Sequence, residues 1–253
     1  MKIKRSLITG VILIGLSTSA SADLYYSQNF DGMGTLGTTM PAGWSYWYIP
    51  GSSASLTLPT PAEMATALDN TGTLAIWNQT SASTTFFVQA ANMGSTASDP
   101  NRLLGTSPTS VMGDILQLSL VNTSGGTVTA ATIGYSLKCM ASGTLKDGFS
   151  DTSEGIPGYR LYYLDGSTWT HSGIDLANYA LNSVGTISGV VSFSTPIPNG
   201  GTISFRWYDD DGNAWSPDFM YGLDDVIVAI PEPGMIAFSI LGFMLLIARR
   251  PIA

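Results

Sequence analysis

Side chains along a β-strand point alternately to opposite faces. A two-residue repeat of apolar and polar residues therefore commits a segment to a half-buried sheet. Residues 132–139 carry such a repeat: Ile133, Tyr135, Leu137 and Cys139 fall on one face, Thr132, Gly134, Ser136 and Lys138 on the other. Residues 202–208 repeat it, with Ile203, Phe205 and Trp207 opposite Thr202, Ser204, Arg206 and Tyr208. Further strands are predicted at 24–30, 74–77, 84–88, 115–121, 159–164, 190–193 and 223–229, and a short helix at 61–69. Turn residues separate them at 122–126, 165–166, 198–201 and 211–213. Many short strands with marked turns and no sustained helical period predict an all-β chain, folded as an antiparallel β-sandwich over residues 23–229.

Composition agrees and excludes some functions. Charged residues are only 11% of the chain, and small polar residues take their place, which suits strands better than exposed helices. The net charge is -8, and Lys2, Lys4, Arg5, Arg249 and Arg250 make up half of the 10 basic residues. The middle of the chain is therefore acidic and lacks the basic stripe that a nucleic-acid partner requires. A single cysteine, Cys139, rules out an intramolecular disulfide and reads as a buried strand residue.

The ends carry a different signal. Lys2, Lys4 and Arg5 precede a short apolar run, and Ala20-Ser21-Ala22 supplies small residues for a signal peptidase. Residues 1–22 are read as a secretory signal peptide cleaved before Asp23. Residues 230–253 hold Pro231-Glu232-Pro233, an apolar stretch of about 15 residues (~22 Å as a helix), and Arg249-Arg250. That stretch reads as a C-terminal transmembrane helix with its arginines on the cytoplasmic side. The two prolines keep the segment before it extended and open to a protease.

The succession of Pro231, Glu232 and Pro233, an apolar helix and Arg249-Arg250 resembles the PEP-CTERM sorting signal. The resemblance implies an exosortase as partner. It also implies a route through the inner membrane to the surface or extracellular matrix of a Gram-negative bacterium that makes exopolysaccharide. Between the ends, several segments in order resemble a β-sandwich module of bacterial surface proteins. They are Phe30-Asp31-Gly32-Met33-Gly34, Pro41-Ala42-Gly43-Trp44, Asn101-Arg102-Leu103-Leu104-Gly105, Leu120-Val121-Asn122-Thr123-Ser124-Gly125, Phe205-Arg206-Trp207-Tyr208-Asp209 and Tyr221-Gly222-Leu223-Asp224-Asp225-Val226. The chain departs from that pattern at Leu137-Lys138-Cys139-Met140, where an acidic residue and an Arg-Trp-like pair are expected.

Two acidic groups are candidate calcium sites. Asp209, Asp211 and Asn213 have part of the oxygen-ligand spacing of a calcium loop, although Asp209-Asp210-Asp211-Gly212-Asn213 reads first as a solvated acidic hairpin. The resemblance to jelly-roll modules implies a structural calcium tying Asp31 on the first strand to Asp224 and Asp225 on the last. The alternation puts Asp224 on the face of Val226 and Val228, where a carboxylate needs a partner.

The function expected from the sequence is that of an exported, non-catalytic surface or matrix protein associated with exopolysaccharide. The alternative is a carbohydrate-binding module, with Trp44, Tyr46, Trp47, Tyr48, Trp77, Trp169, Trp207 and Trp215 as candidate sugar platforms or core residues. A secreted glycosidase is a third reading. It is disfavoured because the chain has one histidine, His171, only Glu63, Glu154 and Glu232 as glutamates, and no nucleophile motif.

Overall fold

The computed structural model describes residues 25–51, 58–78, 88–108, 110–140, 158–176, 183–211 and 220–230. The expected signal peptide with Ala20 and Ala22, the sorting motif Pro231-Glu232-Pro233 with Arg249 and Arg250, the C-terminal helix, Asn213 and Trp215 all lie outside the described residues. Among the described residues, no helix is long and apolar enough to cross a membrane.

The strands are β1 (Tyr25–Gln28), β2 (Trp44–Ile49), β3 (Leu68–Asp69), β4 (Ala75–Asn78), β5 (Ala91–Gly94), β6 (Leu103–Thr106), β7 (Gly113–Val121), β8 (Val128–Met140), β9 (Arg160–Asp165), β10 (Thr168–His171), β11 (Val184–Ile197), β12 (Thr202–Asp210) and β13 (Met220–Ala229). They form two sheets. Sheet A runs β11-β8-β13-β6-β5-β4, with β1 also paired to β13, and sheet B runs β10-β9-β12-β7-β2-β3. The alternation in β8 and β12 turns Ile133, Tyr135, Leu137 and Cys139 toward Ile203, Phe205 and Trp207, and together they form the main core. Trp44 and Trp207 stack there with ring centroids 5.2 Å apart.

The expected all-antiparallel arrangement needs one correction: β4 and β5 pair parallel. The helix expected over 61–69 is shorter, α1 (Pro61–Ala65). A capping box between Thr60 and Glu63 starts it, with Pro61 in the first turn. Leu68 and Asp69 then extend to pair with Tyr48 and Trp47, because edge pairing satisfies backbone groups that the frayed end of one helical turn leaves open. The α1 segment covers part of the outer face of sheet B. There Met64, Ile49, Ile115, Tyr162, Trp169 and Tyr208 form a second apolar cluster.

Candidate functional site

The expected acidic hairpin is not solvated where the structure describes it. Asp209, Asp210 and Asp211 are all nearly inaccessible. Asp209 lies directly opposite Asp114 on the neighbouring strand, and both side chains point into the sandwich. The Tyr46 hydroxyl donates to Asp114 Oδ1, and the Thr106 hydroxyl donates to Asp209 Oδ2. Burial, reinforced by Asp114, drives the Tyr46 hydroxyl far above its ordinary pKa. Asp211 accepts from the Val111 amide through Oδ2 at 3.2 Å, and burial raises its pKa. These aspartates knit one end of the fold together.

The second acidic group gathers elsewhere. Register places Asp224 three residues along β13 from Tyr221, which pairs with Thr106. A β-bulge between Asp224 and Ile227 inserts one extra residue against β8, and Asp225 adopts a left-handed φ of 45° there, a conformation aspartate tolerates better than most. The bulge keeps Val226 and Val228 in the core and turns Asp225 and Ile227 outward. Asp224 Oδ1 accepts from the Asp225 amide, while Asp31 Oδ1 accepts from the Arg102 amide and Oδ2 from the Asn29 side chain. Burial, then the Asp225 and Asp31 carboxylates, push Asp224 up to about 7. The structure thus brings Asp31, Asp224 and Asp225 into one electrostatic neighbourhood and leaves Asp209 and Asp211 in another. Among the described residues, no group of three or more His, Cys, Asp or Glu side chains has a spacing that could hold a metal ion.

Beside Asp225, the outer face of sheet A opens into a groove of about 660 Å³. Strand register explains its shape. One row across four strands reads Ser27, Ile227, Gly134, Ser188, so the floor at Gly134 carries no side chain between Ile227 and Ser188. The adjacent row brings Ser136 beside Thr186, their hydroxyls 3.2 Å apart. Gln28, Asn29 and Asp225 close one end. The row on the other side begins with Tyr25, 63% exposed, across from Ala229. Among the described residues that line the groove, Asp225 is the one carboxylate. Sequence reasoning missed this groove because it depends on which strands become neighbours, although the polar face of residues 132–138 already contained its floor.

The aromatic residues expected as platform or core are core wherever the structure describes them fully buried. Trp44, Tyr46, Trp77, Trp169 and Trp207 are all nearly inaccessible. Trp47, together with the buried Trp169, brackets the Arg206 guanidinium, whose central carbon is 4.7 Å and 4.1 Å from the two ring centroids. Desolvation lowers Arg206 to about 10, so it stays charged at neutral pH. His171 pairs with Asp175 at 2.9 Å on the edge of sheet B, whereas Cys139 is buried in sheet A, so no cysteine–histidine pair forms.

No protein-family model and no curated protein matches the chain. Several solved structures are similar to it in arrangement. The K3 cleaved adhesin domain of Lys-gingipain from Porphyromonas gingivalis is 11% identical, with 82% of this chain and 99% of that chain covered and a TM-score of 0.36. The C-terminal family 22 carbohydrate binding module of Clostridium thermocellum Xyn10B is 13% identical over 84% of this chain and 96% of that one, at 0.37. A cyclase from Fischerella sp. TAU is 15% identical over 81% and 94%, at 0.38. The functional reading therefore rests on the residues of this chain.

Proposed function

We propose that the chain is an exported, non-catalytic surface protein whose sandwich binds a segment of extracellular polysaccharide in the groove on the outer face of sheet A. The observation that carries this reading is the groove's lining. Ser27, Gln28, Asn29, Ser136, Thr186 and Ser188 offer hydroxyl and amide groups, which can both donate to and accept from sugar hydroxyls. The neighbouring Tyr25 ring and the Ile227 side chain, 63% and 40% exposed, supply apolar surface for the C–H face of a pyranose. The groove also lies within the size range of ligand sites, about 300–1,000 Å³.

A glycosidase needs two carboxyl groups flanking the scissile bond, roughly 5–9.5 Å apart. Among the described residues that line the groove, Asp225 is the one carboxylate; the reading is therefore of binding, with no hydrolysis. Export, exosortase processing and a surface or matrix location belong to the same proposal and rest on the two terminal segments of the sequence.

The test is binding of the full-length chain to a polysaccharide array, with Tyr25→Ala beside it. The reading expects capture of at least one polysaccharide, weakened by Tyr25→Ala, with no release of reducing ends. Absence of binding to every glycan overturns it. In cells, replacing Pro231, Glu232 and Pro233 with alanine should leave unprocessed chain in the membrane; normal processing refutes the exosortase step.

A further inference from the structure

β11 is the edge strand of sheet A and pairs with β8 alone. Among the described residues, no strand lies along its other side. It runs for 14 residues without one charged side chain. Long edges with unpaired backbone groups are ordinarily blunted by lysine, proline or a bulge. In β11 the register shift and Pro196 come only after Ser192. Asp165 guards that same end, its two carboxylate oxygens accepting from the Ser194 and Thr195 amides. The stretch from Val184 to Ser192 has none of these devices.

The sequence of that stretch is nearly the same in both directions: Val184, Gly185, Thr186, Ile187, Ser188, Gly189, Val190. We propose that this edge pairs antiparallel with the same edge of a second copy of the chain, about a two-fold axis through Ile187. That register sets Val184 against Val190, Gly185 against Gly189 and Thr186 against Ser188, with Ile187 meeting its own counterpart. Cross-strand partners share a face of the sheet, so each pair is like with like. Val184 and Val190, each 64% exposed in the single chain, cover one another. The glycines face inward, where a Cβ at Gly185 would sit 3.1 Å from Leu176 and one at Gly189 would sit 2.7 Å from Ile174.

A surface patch that is complementary to itself is what a closed two-fold dimer requires. Electrostatics selects the same place. Two chains of net charge -8 repel, and an uncharged strip is where they approach at least cost. The pairing makes one continuous sheet through both copies. It also sets their grooves side by side, because Thr186 and Ser188 belong to both the groove and the seam. The proposal stands independently of what the groove binds.

Sedimentation of the full-length chain should give the mass of a dimer, and Val190→Lys, at an exposed position, should halve it while the far-ultraviolet circular dichroism of the folded sheets is kept. Register is read separately. Under oxidation, the double variant Val184→Cys with Val190→Cys should form a chain-to-chain disulfide that neither single variant forms. A wild-type chain that sediments as a monomer overturns the proposal. So does a dimer unaffected by Val190→Lys, or single-cysteine variants that cross-link as readily as the double one.

Discussion

The guanidinium carbon of Arg206 lies over the indole of Trp169, 4.1 Å from its centroid. It also donates through Nη1 to the Met64 carbonyl of α1 and through Nε to Gln117 Oε1 at 2.7 Å. One buried cation thus fastens the helix to the outer face of sheet B. Arg206→Met keeps the apolar stem but loses the charge-assisted hydrogen bonds and the stacking, and should cost about 2–4 kcal/mol. Arg206→Lys should recover little of this, because an ammonium cannot present a flat face to two rings. Chemical denaturation of the three proteins checks the order.

The start of α1 gives a smaller effect. Thr60 accepts from the Glu63 amide, and the Glu63 carboxylate accepts from the Thr60 amide. The backbone and side-chain hydrogen bonds from Thr60 hold the Glu63 carboxyl below its ordinary pKa. Thr60→Ala should destabilise by about 1 kcal/mol, or roughly 2–4 °C in the unfolding midpoint for a domain of this size. A calorimetric scan resolves that shift, and protease cleavage should begin in α1 before the sheets yield.

Asp224 makes stability depend on pH in the sense opposite to a salt-bridged aspartate. Its pKa is raised from 3.8 to about 7 in the folded chain, so the folded state holds a proton that the unfolded state releases. Its contribution is fully favourable below pH 3.8, is lost as pH rises through that window, and settles at its least favourable value above about 7. Asp224→Asn should stabilise the chain at pH 8 and flatten the dependence across about pH 4–7. Unfolding midpoints of the two proteins across pH measure both effects.

Much of this architecture was legible in the alternation of side chains. Residues 132–139 and 202–208 became β8 and β12, with the expected faces inward. β5 and β6 were missed because every residue in them is buried, so no alternation survives to be read. β2 was read as an aromatic stretch rather than a strand, although Trp44 and Tyr46 turn inward and Trp47 turns outward under Arg206. The burial of Asp209 escaped the sequence for a different reason. Its partners, Thr106 and Asp114, lie about a hundred residues away, and only the pairing of β12 with β7 brings Asp114 alongside. The bulge at Asp225 is likewise a product of register, and it separates two adjacent aspartates into a buried and an exposed one.

The groove depends on the absence of a side chain at one position, and this separates binding from folding. A Cβ at Gly134 would lie 3.3 Å from Ser188 Cβ and 3.4 Å from the Ile187 carbonyl oxygen, a tight contact on an open face. Gly134→Val should therefore be accommodated by a small shift, with β-propensity offsetting the crowding, and its side chain should occupy the floor between Ile227 and Ser188. Gly105 is the contrasting case, because a Cβ there would fall 2.2 Å from Met93 Sδ and 2.6 Å from the Tyr221 carbonyl oxygen, inside a packed sheet. Gly134→Val should lower polysaccharide affinity at least tenfold, which corresponds to about 1.4 kcal/mol, while keeping the wild-type unfolding midpoint within a few degrees. Gly105→Val should unfold at much lower temperature. Retention of full affinity by a folded Gly134→Val chain would place the ligand somewhere other than the outer face of sheet A.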